Sequence, residues 1–458
     1  MNSPTDEPPF APLLRHAHAD AVAAYAAGRA IAAGTFVADV QRIAARLAQH
    51  ARERRYVVNA CGDRYCFAVT FCAALVAGRV NLLPNSRAPA ALAELAARYP
   101  EHVVVADAEL LGGFSAGILV DGLPGTQSSW PPPRIARDAH AAIAFTSGST
   151  GIPLPQIKTW GSLIDGARGE CAGLGLDSSA HETVIVGTVS PQHMFGLEST
   201  ILLALHGPFA LSDAHPLHPE QVAGDLAAVR GQRVLVTTPV HLRALAASET
   251  TLPPLHRIVC ATAPLAEELA ARCEALWNTR VLEIYGCTET GQVAARRTVE
   301  GPWWHALPGV AVEERDDGFW AGGGHVTTPA PLADRLRLQD ARTFVLEGRT
   351  TDLVNVAGKR TSLAALNHAL LAIDGVIDGT FYVPDEDAAS AREARLIAFV
   401  VAPERTRADI LAALRECVDP VFLPRPLVLV EALPRNATGK LPRADLRALA
   451  RDHVERRA

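Results

Sequence analysis

The chain has 458 residues, more than one hydrophobic core ordinarily holds, so two or more domains are expected. Its 49% hydrophobic and 20% charged residues describe a globular protein, and a net charge of −6 gives no general attraction to nucleic acid or to anionic membranes. No apolar stretch reaches the roughly 18 to 20 residues that span a bilayer, and the acids and prolines of Met1 to Phe10 do not read as a secretory signal, so a cytoplasmic protein is expected.

In chain order, apolar positions at helical spacing run from Val37 to Glu53, and Tyr56 to Ala60 is a strand candidate. A helix over Phe67 to Val76, a strand over Arg79 to Pro84, a helix over Pro89 to Tyr99 and a strand over Val103 to Asp107 follow. Further on, Glu182 to Val186, Arg233 to Val236 and Arg257 to Cys260 are short apolar runs, each followed by a turn and a helix. Strands alternating with helices predict an α/β fold with doubly wound, largely parallel sheets, in which ligands collect at the carboxyl ends of strands. Near Gly348 the texture changes. A helix over Ser362 to Ile373, strands over Gly379 to Val383 and Arg395 to Val401, and a helix over Arg407 to Cys417 predict a small α+β unit. The expected division is therefore a large domain over 1–349 and a small one over 350–458.

The eight cysteines (Cys61, Cys66, Cys72, Cys171, Cys260, Cys273, Cys287, Cys417) include no CxxC pair, which argues against zinc or a disulfide framework and for reduced thiols. Cys287 alone lies in a motif, and with no histidine near it in sequence it is a poor nucleophile candidate.

The apolar run Ala141 to Phe145 empties into Thr146-Ser147-Gly148-Ser149-Thr150-Gly151, followed by Ile152-Pro153. Nothing in that loop can pack a core. Its glycines let backbone N–H groups converge and its hydroxyls add donors, the makings of a phosphate cradle. It lacks the spacing of a conventional P-loop, Gly-x4-Gly-Lys-Ser/Thr.

Three later segments accompany the loop: Tyr285-Gly286-Cys287-Thr288-Glu289, Glu347-Gly348-Arg349 continuing to Gly358-Lys359-Arg360, and Pro434-Arg435-Asn436-Ala437-Thr438-Gly439-Lys440. Together, in this order, they resemble the adenylate-forming superfamily of acyl- and aryl-CoA synthetases, adenylation domains and luciferases. The resemblance implies an acid–thiol ligase that uses ATP and Mg²⁺ to convert a carboxylic acid to acyl-AMP, releasing pyrophosphate. The acyl group then passes to the pantetheine thiol of CoA or of an acyl carrier protein. By the same resemblance Thr146, Ser147 and Thr150 hold the triphosphate within the loop that includes Gly148, Ser149 and Gly151. Tyr285 stacks on adenine beside Gly286, Thr288 bonds the α-phosphate and Glu289 ligates the metal. Asp334 binds the ribose hydroxyls, Arg349 the ribose or a phosphate, and Lys440 bridges the carboxylate and α-phosphate. The small domain then rotates near Thr351-Asp352, bringing Gly358 and Arg360 to the pantetheine.

The chain departs from the family pattern in three places. Leu154 stands where the loop usually has a lysine, and Lys158, four residues on, is the candidate substitute. This Pro-x-x-Lys-x-Trp form resembles the AMP-ligases of aryl polyene and fatty-acid-like pathways. Leu332-Ala333 precede Asp334 where the family writes Thr-Gly, and Thr351 stands at the usual hinge position. His193, Ala261 and Ala263 fall on the segments that line the acyl pocket in the family. They point to an aromatic acid such as a hydroxybenzoate, with a medium- or long-chain fatty acid as the alternative. A catalytically impaired adenylate-binding protein is the alternative of a different class, and retention of Glu289 and Lys440 argues against it.

Overall fold

The computed structural model describes residues 8–84, 89–106, 117–146, 154–176, 182–349, 353–356, 359–384, 396–436 and 439–454. Two large sheets organise the chain up to Arg349. The smaller has six strands in the spatial order Leu154–Thr159, His140–Thr146, Val80–Leu83, Tyr56–Asn59, His102–Ala106, Gly117–Leu119. All its neighbours pair in parallel except Leu154–Thr159, which runs back antiparallel along His140–Thr146. The segment 147–153, with Ser147, Gly148, Ser149, Thr150 and Gly151, lies outside the described residues, and it joins those two strands.

The larger sheet has eleven strands. Its centre is parallel: Arg280–Cys287, Arg257–Cys260, Gln232–Thr237, Thr183–Gly187, Ala210–Ser212 and Val22–Ala26. These are continuous apolar runs such as Thr183-Val184-Ile185-Val186-Gly187, buried at every position because helices cover both faces. Beyond Arg280–Cys287 the sheet turns antiparallel through Gly291–Arg297, Trp303–Ala306, Thr343–Arg349 and Asp334–Asp340. That wing is an addition to the expected parallel arrangement. One face of it meets solvent, so Asp334 to Asp340 reads Asp-Arg-Leu-Arg-Leu-Gln-Asp with only Leu336 buried, a pattern weak in apolar signal.

The helix Arg64–Val76 shows how the sheets are joined. Asp63 caps it, its side chain accepting the Cys66 N–H at 2.7 Å. Its flanks are apolar all round, as suits a helix buried between layers, and Phe67 and Phe71 are fully enclosed. Arg64, in its first turn, is wholly buried too. Its guanidinium donates to the Gly187 carbonyl at 2.6 Å, the Val189 carbonyl at 3.1 Å, the Ala214 carbonyl at 3.2 Å and the Thr200 hydroxyl at 2.7 Å. Burial lowers it to about 10, so it remains charged at neutral pH.

After Arg349 the packing starts afresh. A three-stranded sheet, Asp378–Tyr382, Ile397–Val401 and Leu427–Leu429, buries one face against the helices Leu363–Leu371 and Arg407–Cys417. Its other face takes the last helix, Arg443–Val454, through Leu446 and Ala450. Thr406 and Asp409 form a reciprocal capping box at the start of Arg407–Cys417. Gly358, Thr351 and Asp352 lie outside the described residues, while Arg360 sits on the short strand Lys359–Ser362, paired with Leu353–Val356.

Candidate active site

The Tyr285-Gly286-Cys287-Thr288-Glu289 segment forms the end of the strand Arg280–Cys287 and its turn into Gly291–Arg297. Glycine is required at Gly286, where a Cβ would stand 2.3 Å from the Gly291 carbonyl oxygen. The Tyr285 ring packs edge-on to Phe344 and tilted to Trp304, at 5.9 Å and 5.7 Å between centroids. Its phenol donates to the Asp334 carboxylate at 2.8 Å. Asp334 opens the strand Asp334–Asp340 and lies directly across from Arg349 in the antiparallel register. Tyr285, Asp334 and the backbone of Arg349 are thus brought together although they are scattered through the sequence.

The loop Ala261 to Leu265 borders the same strand ends. Thr262 takes a φ of 81°, a left-handed conformation unusual for a β-branched residue. Buried Glu283 supports that loop by accepting the Leu265 N–H at 3.0 Å, and its other oxygen accepts from Arg296 at 2.8 Å and Thr298 at 3.0 Å. Ala261 is buried and Ala263 half-buried beside it.

His193 precedes the helical stretch Met194 to His206, whose middle, Leu197–Leu202, is a wider π-helical turn. Its imidazole is lowered to about 3, first because burial disfavours the charged ring and second because the Lys440 ammonium lies near it. His193 is therefore neutral at ordinary pH. Lys440 is exposed and sits at the end of a tight loop. The Asn436 side chain accepts the Lys440 N–H at 3.0 Å, and Gly439 supplies a φ of 75°. Arg435 anchors the loop by a paired contact to Asp378, both bonds 2.7 Å, while donating to the Gly439 carbonyl at 2.6 Å. A Cβ on Gly439 would stand 3.7 Å from the Thr238 hydroxyl, so this loop rests against the start of the helix Pro239–Ala247. Arg243 of that helix donates to the Ile377 carbonyl at 3.2 Å.

Cys287 stays a thiol. Burial pushes it up to about 11, and its sulfur lies 3.1 Å from the Thr290 hydroxyl. This removes it as a nucleophile at neutral pH. Glu289 is half-buried, and among the described residues no cluster of three His, Cys, Asp or Glu side chains could hold a metal. A lone carboxylate fits Mg²⁺, which keeps most of its waters and takes one or two carboxylates together with phosphate oxygens.

Sequence reasoning flagged Lys158 but not its surroundings. Its Nζ donates to the Glu289 carbonyl at 2.7 Å, and burial lowers its pKa against the raising influence of Glu198, Cys287 and Glu289. Near it lies buried Glu198, raised to about 7, and Glu198 in turn neighbours buried Glu170, raised to about 8, both chiefly by burial. Glu170 faces Ser199 and Gln292, which bond each other at 2.9 Å. No local pattern announced these acids or Arg64: Glu198 and Arg64 are each the one charged residue of an apolar helical stretch, and the partners of all three come from separate elements of the chain.

Comparison with known proteins bears on the family and the fold. The family model described as "AMP-binding enzyme" matches residues 15–344. A 4-coumarate–CoA ligase of Rhodobacter capsulatus is 31% identical over 310 residues, which is 67% of this chain and 76% of that protein. The corresponding ligase of Halorhodospira halophila is 30% identical over 313 residues, 65% of this chain and 73% of that protein. Among solved structures, MatB of Rhodopseudomonas palustris, bound to ATP, superposes with a TM-score of 0.80 at 20% identity, covering 96% of this chain and 97% of that one. A benzoate CoA ligase of Burkholderia xenovorans LB400 gives 0.79 at 18% identity, covering 94% and 97%. The chain belongs to the AMP-binding enzyme family, as an ATP-using, AMP-forming acid–thiol ligase.

Proposed function

We propose that this enzyme activates an aromatic carboxylic acid, of the hydroxybenzoate or hydroxycinnamate kind, and passes it to a pantetheine thiol. The observation that carries the reading is the seating of the Lys440 loop against Thr238, at the start of the helix Pro239–Ala247, with Lys440 near enough for its charge to act on His193. Attack of a carboxylate on the α-phosphorus of ATP brings anions together. It forms a carboxylate–phosphorus bond and breaks the bond to pyrophosphate. A cation held at the meeting point lowers that barrier, and one on a separately packed unit can leave once the adenylate has formed.

In this reading Tyr285 lies against adenine, Asp334 takes the ribose hydroxyls and Arg349 contacts the ribose or a phosphate. Thr146, Ser147 and Thr150 hold the triphosphate, Thr288 donates to the α-phosphate, and Glu289 holds Mg²⁺, which would neutralise charge on the phosphate oxygens. His193, uncharged, is suited to lie against an aromatic ring rather than to pair with its carboxylate, and Ala261 and Ala263 leave width for that ring. The unit from 350 to 458 is proposed to turn about 351–352 for the second step, bringing Gly358 and Arg360 to the thiol of CoA or of a carrier protein. Aromatic acids as substrates of the two 4-coumarate–CoA ligases support the choice of acid.

Pyrophosphate exchange with a panel of benzoates, cinnamates and C6 to C16 fatty acids tests it. Exchange with aromatic acids alone is the expected result, and preference for fatty acids would replace the aromatic reading. Exchange with no acid at all would point to an impaired, adenylate-binding protein.

A further inference from the structure

Lys158 lies on the strand Leu154–Thr159, the first described element after the 147–153 segment and an edge of the six-stranded sheet. Its ammonium crosses to the other sheet and donates to the backbone carbonyl of Glu289, 2.7 Å away and 131 positions later in sequence. It is only 8% exposed, so it does not serve as a surface cation. The same turn is met again two residues on: a Cβ at Gly291 would stand 2.5 Å from Glu198 Oε1, so the Glu198 carboxylate lies against the turn's exit. Glu198 is itself buried, and its charge acts on Lys158.

We propose that Lys158 is a positioning residue, which with Glu198 clamps the Thr288–Glu289 turn to the strand leaving the phosphate loop. The clamp rests on the reading of Glu289 as the metal-binding acid. A bond to the main-chain carbonyl fixes where the Glu289 backbone sits without engaging its carboxylate. A side chain at the base of the strand can thereby set the spacing between two ATP-contacting segments that belong to different sheets. Ordinary side-chain flexibility would otherwise let that spacing drift, and a displacement of about 1 Å is enough to cost a hundredfold in rate. This gives Lys158 a part different from a direct phosphate contact: its ammonium is engaged by a main-chain carbonyl. The bland alternative is that Lys158 only balances the buried charge of Glu198.

The two are separated by calorimetric binding of ATP to the full chain, without metal and with saturating Mg²⁺, for the wild type, E289Q, K158M, K158R and K158M/E198Q. The expected result is that Mg²⁺ strengthens ATP binding in the wild type. In K158M that gain should fall by about tenfold or more while metal-free ATP binding stays within about twofold. K158R should recover part of it, and K158M/E198Q, in which the acid facing Lys158 is removed together with the cation, should not. If K158M/E198Q regains the full metal gain, Lys158 merely balances charge and the proposal is overturned. Equal loss of ATP binding with and without metal in K158M also overturns it, since that is general disorder. Retention of the gain in K158M with its loss in E289Q overturns the clamp alone. Its retention in E289Q removes the Glu289 reading, and the clamp with it. Should K158M fail to fold, K158M/E198Q carries the same comparison.

Discussion

The Tyr285 phenol donates to the Asp334 carboxylate at 2.8 Å, linking the end of one strand to the start of another in the antiparallel wing. The bond does two things at once. It orients the ring, already wedged between Trp304 and Phe344, and it fixes the carboxylate beside that ring. A hydrogen bond to a charged group is worth about 1.5 to 3 kcal/mol, and here both partners belong to the proposed adenosine site. Tyr285→Phe keeps the ring and removes the donor, so KM for ATP should rise by about tenfold with kcat little changed. Asp334→Asn should cost more, and the double variant less than the sum of the two. Initial rates of pyrophosphate exchange against ATP concentration measure all three. Strict additivity would show that the bond is not felt by the nucleotide.

How much of this was legible beforehand follows from burial. Strands such as Thr183–Gly187 are apolar at nearly every position because helices cover both faces, and they stood out at once. The Tyr285 to Glu289 turn was legible through its family pattern, and the structure supplies the reason for its glycine: Gly286 faces a carbonyl where any Cβ would clash. The wing from Trp303 to Arg349 was not, since half-solvated antiparallel strands dilute the apolar signal with Arg, Asp and Gly. Asp334 and Tyr285 were each found only through the family pattern, and the bond between them was not legible from sequence. Glu170, Glu198 and Arg64 escaped because a charged residue in a helix reads as its wet side. Only the distant chain that folds over it makes it buried.

Lys440 lies close enough to His193 for its charge to act on the imidazole. Lys440→Ala should therefore lower the adenylation half-reaction by about a hundredfold or more, the scale of losing one preorganised charge contact. Thioester formation from supplied acyl-AMP should change little, because the lysine is not needed once the adenylate exists. Measuring both half-reactions on one preparation checks this. Equal loss in both would contradict a cation used in a single step.

Arg64 predicts a stability effect rather than a kinetic one. Its guanidinium satisfies three carbonyls and a hydroxyl between the two sheets, all away from water. Arg64→Met leaves those acceptors without their donor and should destabilise the fold by about 3 to 5 kcal/mol. Arg64→Lys should recover less than half, since an ammonium cannot reach the same spread of acceptors as a fork. Chemical unfolding of the three proteins measures the order. A Lys variant as stable as the wild type would show that charge, not geometry, is what this position supplies.

Glu170 sets the direction of the pH dependence. Burial raises its carboxyl from the usual 4.5 to about 8. Between those values the folded protein holds a proton that the unfolded chain has released, so stability must fall as pH rises through that window. Below 4.5 both states are protonated and the effect vanishes; above about 8 the folded state bears a buried charge and the loss is complete. Glu198, raised to about 7, adds to the fall over the lower part of the same range. Glu170→Gln is neutral at every pH and keeps the shape, with Ser199 and Gln292 still beside it. Its unfolding midpoint should therefore decline less steeply than the wild type's from pH 5 to 8, a range inside the titration window described above. The two midpoints should converge at the acid end, where the native carboxyl is as neutral as the amide. Identical slopes would mean that Glu170 is ionised in the folded protein and stabilised by a partner strong enough to offset its burial.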